Sequence, residues 1–277
     1  MNRTHVCVLV STMLAMCAGC FDTQTTVRIK ADGSGTVEER FLVTSTVVAQ
    51  MKAFSQSMVA EGGQAQAADA FSVYKPDDLR AAAAKMGEGV TFVSSEPIKT
   101  DKGEGYRAVY AFEDINKLRL NQNPGDEAPS AGAAQQQESP EEFITFAFKK
   151  GRTSTLTIRR PSNTPGDDDE KATPEEAAKD SADTKQALEQ VKQIFDGMRV
   201  AMFIEVDGKL VKTNATHVDG NRITLMDMNF DQLMQNPEKL ETFALSKPKS
   251  VEEAKKILKG VDGMKVDMNE ELVVSFR

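Results

Sequence analysis

Between residues 27 and 43 apolar side chains recur on odd positions, Val27 and Ile29, then Val37, Phe41 and Val43, with Asp32-Gly33-Ser34-Gly35 between the two runs. A period of two sends alternate side chains to one face, and Asp-Gly supplies the left-handed backbone of a tight turn. The pattern therefore predicts a β-hairpin in which Arg28 and Lys30 face Glu38. The period then changes. Val47, Met51, Phe54 and Met58 form one apolar stripe of a helix over 45–60, with Lys52 as its only basic residue. A Gly/Gln/Ala-rich loop from Glu61 to Ala67 leads to a second helix, Asp77 to Met86, ended by Gly87.

Strands follow at 89–95 and 106–113. Tyr106, Tyr110 and Phe112 share one parity there, which suits either a sheet face packed beneath the helices or an aromatic platform for a glycan; the absence of Trp favours packing. Ile144, Phe146 and Phe148 alternate, as do Leu156 and Ile158, around the turn Lys149-Lys150-Gly151-Arg152. The three bases of that turn are either an ordinary solvated tip or a contact for lipid phosphates. Leu188, Val191, Phe195 and Met198 mark a long helix ending near Gly197, and Val200 to Val206 reads as a central strand covered on both faces.

Asp207-Gly208 and Asp219-Gly220 then divide a three-strand meander ending at Ile223 to Met226. Met198, Met202, Met226 and Met228 gather around it as adaptable core filler, with no paired His or Cys to make them metal ligands. Ser250 with Glu253 forms a capping box, Gly260 closes that helix, and a short terminal hairpin pairs Met264, Val266 and Met268 with Leu272, Val274 and Phe276. The fold class expected is α+β: antiparallel sheets built from hairpins and a meander, packed by amphipathic helices.

Residues 121–142 and 161–179 are rich in Pro, Gly, Gln and acids. Such composition does not repay the entropy of ordering, so both are expected to be mobile loops. The acidic run Asp167 to Glu170 inside the second lacks the spaced oxygens and glycine of a calcium loop and reads as a solvated tip. The first loop would divide the domain, residues 23–277, into two lobes, 23–120 and 143–277.

Composition removes whole classes of function. The 277 residues carry 42 Asp and Glu against 34 Lys and Arg, net −8, which argues against a nucleic-acid surface. At the N-terminus Arg3 precedes an apolar run of eleven residues, Val6 to Met16, too short to span a bilayer as a helix. The run ends in Cys17-Ala18-Gly19-Cys20, which resembles the bacterial lipobox with Cys17 in place of the usual leucine. That resemblance implies a signal peptide, 1–19, cut between Gly19 and Cys20. It also implies acylation of Cys20, with palmitate among the expected chains, and a tether at 20–22 before the domain.

Each buried methylene contributes about 0.8 kcal/mol, so two or three chains hold durably where one would not. By the same resemblance Phe21, rather than Asp, after the cysteine implies sorting to the outer membrane of a two-membrane envelope rather than retention at the inner one.

Loss of residues 1–19 removes Cys7, Cys17 and His5, and acylation consumes Cys20. No free thiol then remains for a disulfide, thiolate metal site or nucleophile, and His217 is the sole histidine. His217 lies in a polar stretch, Thr213 to His217, with no G-x-S-x-G anywhere in the chain, so a strand histidine is favoured over a triad member. Glycine loops for nucleotides are absent, and Pro248 spoils the S-x-x-K match at Ser246 to Lys249. Asp227, Asn229, Asp231 and Glu238 partly match a calcium loop. Gln232 occupies the glycine position, and the competing reading is an Asp/Asn cap opening a helix.

The segment Val27 to Glu38 following soon after a lipobox resembles the start of LppM-type lipoprotein domains. That resemblance implies an α+β extracytoplasmic domain without catalytic residues, in contact with lipids or glycolipids. The reading as a whole is an envelope lipoprotein held to the membrane through Cys20, with no cofactor. Its role is non-enzymatic, binding a protein, lipid or glycan partner or contributing structurally. The alternatives are a calcium-stabilised interaction module and a glycan hydrolase working through two carboxylates.

Overall fold

The computed structural model describes residues 21–60, 72–122, 143–161, 197–235, 253, 256–257 and 260–277, with side chains 54–60 excepted. The signal segment, Cys20, nearly all of both expected loops, the helix before Gly197, Glu238 and most of the 250–260 helix lie outside the described residues.

β1 (Phe21–Ile29) and β2 (Gly35–Thr44) form the expected hairpin, Val27 opposite Val37. Gly33 sits at φ +93°, and its N–H donates to Lys30 O. Arg28 reaches Glu38 at 2.6 Å, but Lys30 belongs to the turn, its N–H donating to Ser34 O. The helix α1 (Ser45–Ala60) follows over the expected range, with Val47 and Val48 buried; the side chains of Phe54 and Met58 in the expected stripe lie outside the described residues. The helix α2 (Pro76–Ala82) opens with a proline and two first-turn acids and tightens into a 3-10 turn, Ala83–Met86, before Gly87 at φ +132°. β3 (Thr91–Lys99) and β4 (Gly103–Phe112) are a hairpin laid against β2.

The next strands are β5 (Arg119–Asn121), β6 (Phe143–Lys149), β7 (Ser154–Arg159), β8 (Arg199–Val206) and β9 (Leu210–Thr213). β10 (Val218–Asp219), β11 (Arg222–Asn229), the short helix α3 (Phe230–Met234), β12 (Met264–Val266) and β13 (Glu271–Phe276) complete the described elements. One sheet has the order β10-β11-β8-β1-β2-β4-β3, with β12 also beside β11; the other has β5-β6-β7-β13-β9. Val27, Ile29, Val37, Tyr110 and Phe112 from the first meet Ile144, Leu156, Ile158, Val274 and Phe276 from the second in one cluster, with Leu79 and Met86 at its side. The fold is α+β, as expected, and much of the core lies between the two sheets.

Four expectations need correction. The first sheet is mixed rather than antiparallel, because β8 runs parallel to β1, Val27 opposite Ile204. The meander does not form. After Gly208 the chain is captured by the last strand, Lys209 and Arg277 exchanging backbone hydrogen bonds at 2.7 and 3.0 Å, so β9 joins the second sheet while β11 pairs with β8. The terminal hairpin does not form either: β12 pairs with β11, and β13 lies between β7 and β9. Strand pairing does not divide at 121–142, because β8 and β11 complete the sheet begun by β1 and β2, and β5 pairs with β6.

Other readings hold. β8 is buried along most of its length between β1 and β11. Tyr110 and Phe112 are buried under the second sheet and α2, so they pack instead of forming an open platform. Met202 is core filler, and Phe276 is docked with no exposed surface.

Candidate functional site

Three clusters of polar side chains stand out from this frame. The first is on the face of the larger sheet that carries Arg28, Glu38 and Arg40, opposite the one that bears Val27, Ile29 and Val37. Glu38 accepts from Arg107 Nε at 2.9 Å, from Arg107 Nη2 at 3.1 Å and from Arg28 Nη1 at 2.6 Å; Arg28 Nε also donates to Glu205 at 2.8 Å. The two guanidinium groups hold the Glu38 carboxyl down at about 2, well below its ordinary 4.5, and the carboxylates in turn raise both arginines. Nearby, Arg40 pairs with Asp22 at 2.9 Å, and Arg199 makes a bidentate pair with Asp227 at 2.9 and 3.1 Å. Arg222 lies 3.7 Å over the ring of Phe203 and shields it from water.

The second is the opening between the sheets. Thr25, Glu39, Lys85, Arg119, Asn121 and Phe143 line it, with Met86, Leu120 and Met202 at its floor. Its free volume is about 20 Å³, room for one water and not for a sugar ring. Among the described residues Glu39 is the single acid in that lining.

The third is Asp267, with no exposed surface. Its carboxylate accepts from Thr216 N at 2.6 Å and Asn269 N at 3.0 Å, its own N–H donates to Leu225 O, and the Arg160 guanidinium donates to its carbonyl. Burial lowers the Arg160 pKa, partly offset by the nearby Asp267 charge. Apart from the local Asn269 N–H, these contacts join the chain between β12 and β13 to Thr216, Leu225 and Arg160, so the cluster is a structural latch. Nothing in the pattern Met264-x-Val266-x-Met268 marks the intervening aspartate as buried.

The residues singled out from sequence are dispersed. Gly19, Cys20 and Glu238 lie outside the described residues. Asp227 is engaged by Arg199. Asn229 caps α3, accepting from Gln232 N at 3.1 Å, and Asp231 accepts from Gly197 N at 2.7 Å. These contacts match the helix-capping reading of that motif. His217 is half-buried in the segment before β10, and its main-chain oxygen accepts from Thr224 N. The bases of the 149–152 turn are exposed and adjoin the β1–β2 turn, where Ser154 Oγ donates to Ala31 O at 3.4 Å. Pattern reading placed Arg28 opposite Glu38 but missed Arg107 and Glu205, and it missed the Asp267 cluster altogether.

No protein-family model and no curated protein sequence matches the chain. Among solved structures it is similar to the NMR structure of the folded domain of LppM from Mycobacterium tuberculosis. The TM-score is 0.32 and the identity 10%, covering 75% of this chain and 82% of that domain. The domain thus has a distant structural likeness to a lipoprotein domain, and no ligand or activity is carried over from it.

Proposed function

We propose that this chain is a lipid-anchored protein of the bacterial envelope, held by acyl chains on Cys20, with a non-enzymatic binding or structural role and an outer-membrane address. The observation that carries the reading is the pairing of the residue next to Cys20. Phe21, the residue after the lipobox cysteine, is already paired in β1 opposite Val43, and its ring stacks on Phe41 at 6.1 Å between centroids. A signal cut at Gly19 would therefore release a chain whose second residue lies in a central strand. The site chemistry supports a non-enzymatic role: Glu38, Asp227 and Asp267 are each taken up by arginines or backbone N–H groups.

The test is the intact mass of the native protein with metabolic palmitate labelling. Cleavage after Gly19, an acyl mass on the terminal cysteine and loss of label in Cys20→Ser are expected. An unmodified cysteine, or a retained leader, would overturn the reading.

A further inference from the structure

Under that reading, the start of β1 fixes how the domain stands on the membrane. Phe21 and Asp22, expected as part of a tether, are paired in β1, and consecutive Cα atoms lie about 3.8 Å apart, so an acylated Cys20 would have no linker between it and the sheet. Asp22 is opposite Arg199 at the start of β8, and Arg199 is opposite Asn229 at the end of β11. These three strand ends are level along one edge of the sheet. Neighbouring strands are about 4.8 Å apart, which puts Asn229 about 10 Å from the start of β1. Phe230 comes next in sequence and its N–H donates to Met198 O at 3.1 Å.

Around that point half-buried apolar side chains sit among the exposed Asp231, Gln232, Gln235, Asp262 and Lys265. Phe230, Met234, Met228 and Val261 pack against buried Leu233 and Met264, and Phe21, Met198, Phe230, Met234 and Val261 are all only half-buried. Beside an acyl anchor these side chains lie at the level of the bilayer that would hold the chains. The opposite end of β1 lies about 27 Å away along the strand, beyond the Debye length of about 8 Å at physiological salt. There the exposed Lys149, Lys150 and Arg152 adjoin the β1–β2 turn.

We infer that the rim formed by Phe21, Met198, Phe230, Met234 and Val261 is the surface on which the domain rests against a lipid bilayer. The strands then stand away from the membrane, and the 149–152 turn faces the aqueous space. The inference depends on acylation of Cys20, and its test separates the two.

The full chain, purified with its native modification, is reconstituted in phosphatidylcholine vesicles. Single cysteines are placed at exposed positions, Lys265→Cys in β12 beside the rim and Lys150→Cys at the far turn, and each is labelled with a fluorophore. Flotation with the vesicles reads the anchor, and quenching by a nitroxide-bearing lipid reads the orientation. The expected result is flotation of both variants with quenching several-fold stronger at 265 than at 150. Flotation with equal quenching, or with stronger quenching at 150, overturns the orientation while leaving the anchor intact. A chain that does not float overturns the anchor, and the orientation falls with it. Met234→Glu with Val261→Glu adds a second reading: weaker quenching at 265 with flotation retained is expected, and unchanged quenching counts against the rim.

Discussion

Glu38 and Arg107 lie on adjacent strands and share two near-parallel hydrogen bonds, Nε to Oε1 at 2.9 Å and Nη2 to Oε2 at 3.1 Å. The fork-to-carboxylate fit gives this surface pair a fixed geometry that a lysine in place of Arg107 would not reproduce. Arg28 adds a second cation from the other flank, so Glu38 ties β1 to β4 across β2.

Acid stability should report this directly. The folded-state pKa of Glu38 is depressed from 4.5 to about 2, so its contribution is complete above pH 4.5 and disappears as pH falls from there toward 2. Both arginines are about half exposed, which limits the contribution to about 1 kcal/mol. Urea unfolding at pH 7 should show Glu38→Gln less stable than the parent by that amount, with the gap closing as pH approaches 2. A constant gap across that range would assign the loss to packing instead of charge.

Asp267 offers a larger effect. Asp267→Ala leaves the backbone N–H groups of Thr216 and Asn269 without their buried acceptor and Arg160 without the opposite charge beside it. Removing one side of such a buried charged network costs about 3–5 kcal/mol. Asp267→Asn keeps one acceptor oxygen but turns an N–H₂ toward a donor, and it should lose roughly half as much. Thermal unfolding of the two variants beside the parent gives the order. Equal stability of all three would show that the latch contributes nothing.

What could be read from the chain alone divides along a physical line. Alternation and Asp-Gly turns report local geometry, so the β1–β2 and β6–β7 hairpins and the buried character of β8 were legible from residues near one another. Pairing between distant strands leaves no such trace. Leu272, Val274 and Phe276 alternate identically whether β13 pairs with β12 or with β7, and what decides is the buried turn at Asp267 and the capture of Lys209 by Arg277. The same holds for Asp22 opposite Arg199, some 177 positions apart, as are Arg28 and its partner Glu205. At 227–231 acidic residues at close spacing suggested both a cation loop and a helix cap. The backbone donors that choose between them, Gln232 N and Gly197 N, carry no sequence signature.

That choice yields a prediction about metal. With Asn229 oriented by Gln232 N and Asp227 held by Arg199, millimolar calcium should leave the melting temperature unchanged, and a chelator should do the same. Asn229→Ala should cost about 1 kcal/mol through loss of the cap, to the same extent with and without calcium. A calcium-dependent rise in melting temperature that this substitution abolishes would restore the binding-loop reading.

Gly35 tests how closely the central strands approach. A Cβ there would fall 1.9 Å from Arg28 O and 2.6 Å from the Phe112 ring, contacts between β1, β2 and β4 that only a displaced backbone could relieve. Gly220 is the useful contrast: its φ of +60° disfavours other residues, yet nothing lies within 4 Å of the added carbon. Gly220→Ala should therefore cost about 1 kcal/mol, the strain of a left-handed alanine. Gly35→Ala should cost more than the roughly 1–3 kcal/mol of ordinary overpacking, because backbone and not a flexible side chain stands in the way. Melting temperatures measured side by side give the comparison. If Gly35→Ala proves the milder of the two, the close approach of Arg28 O to Gly35 is wrong, and the register of the first hairpin with it.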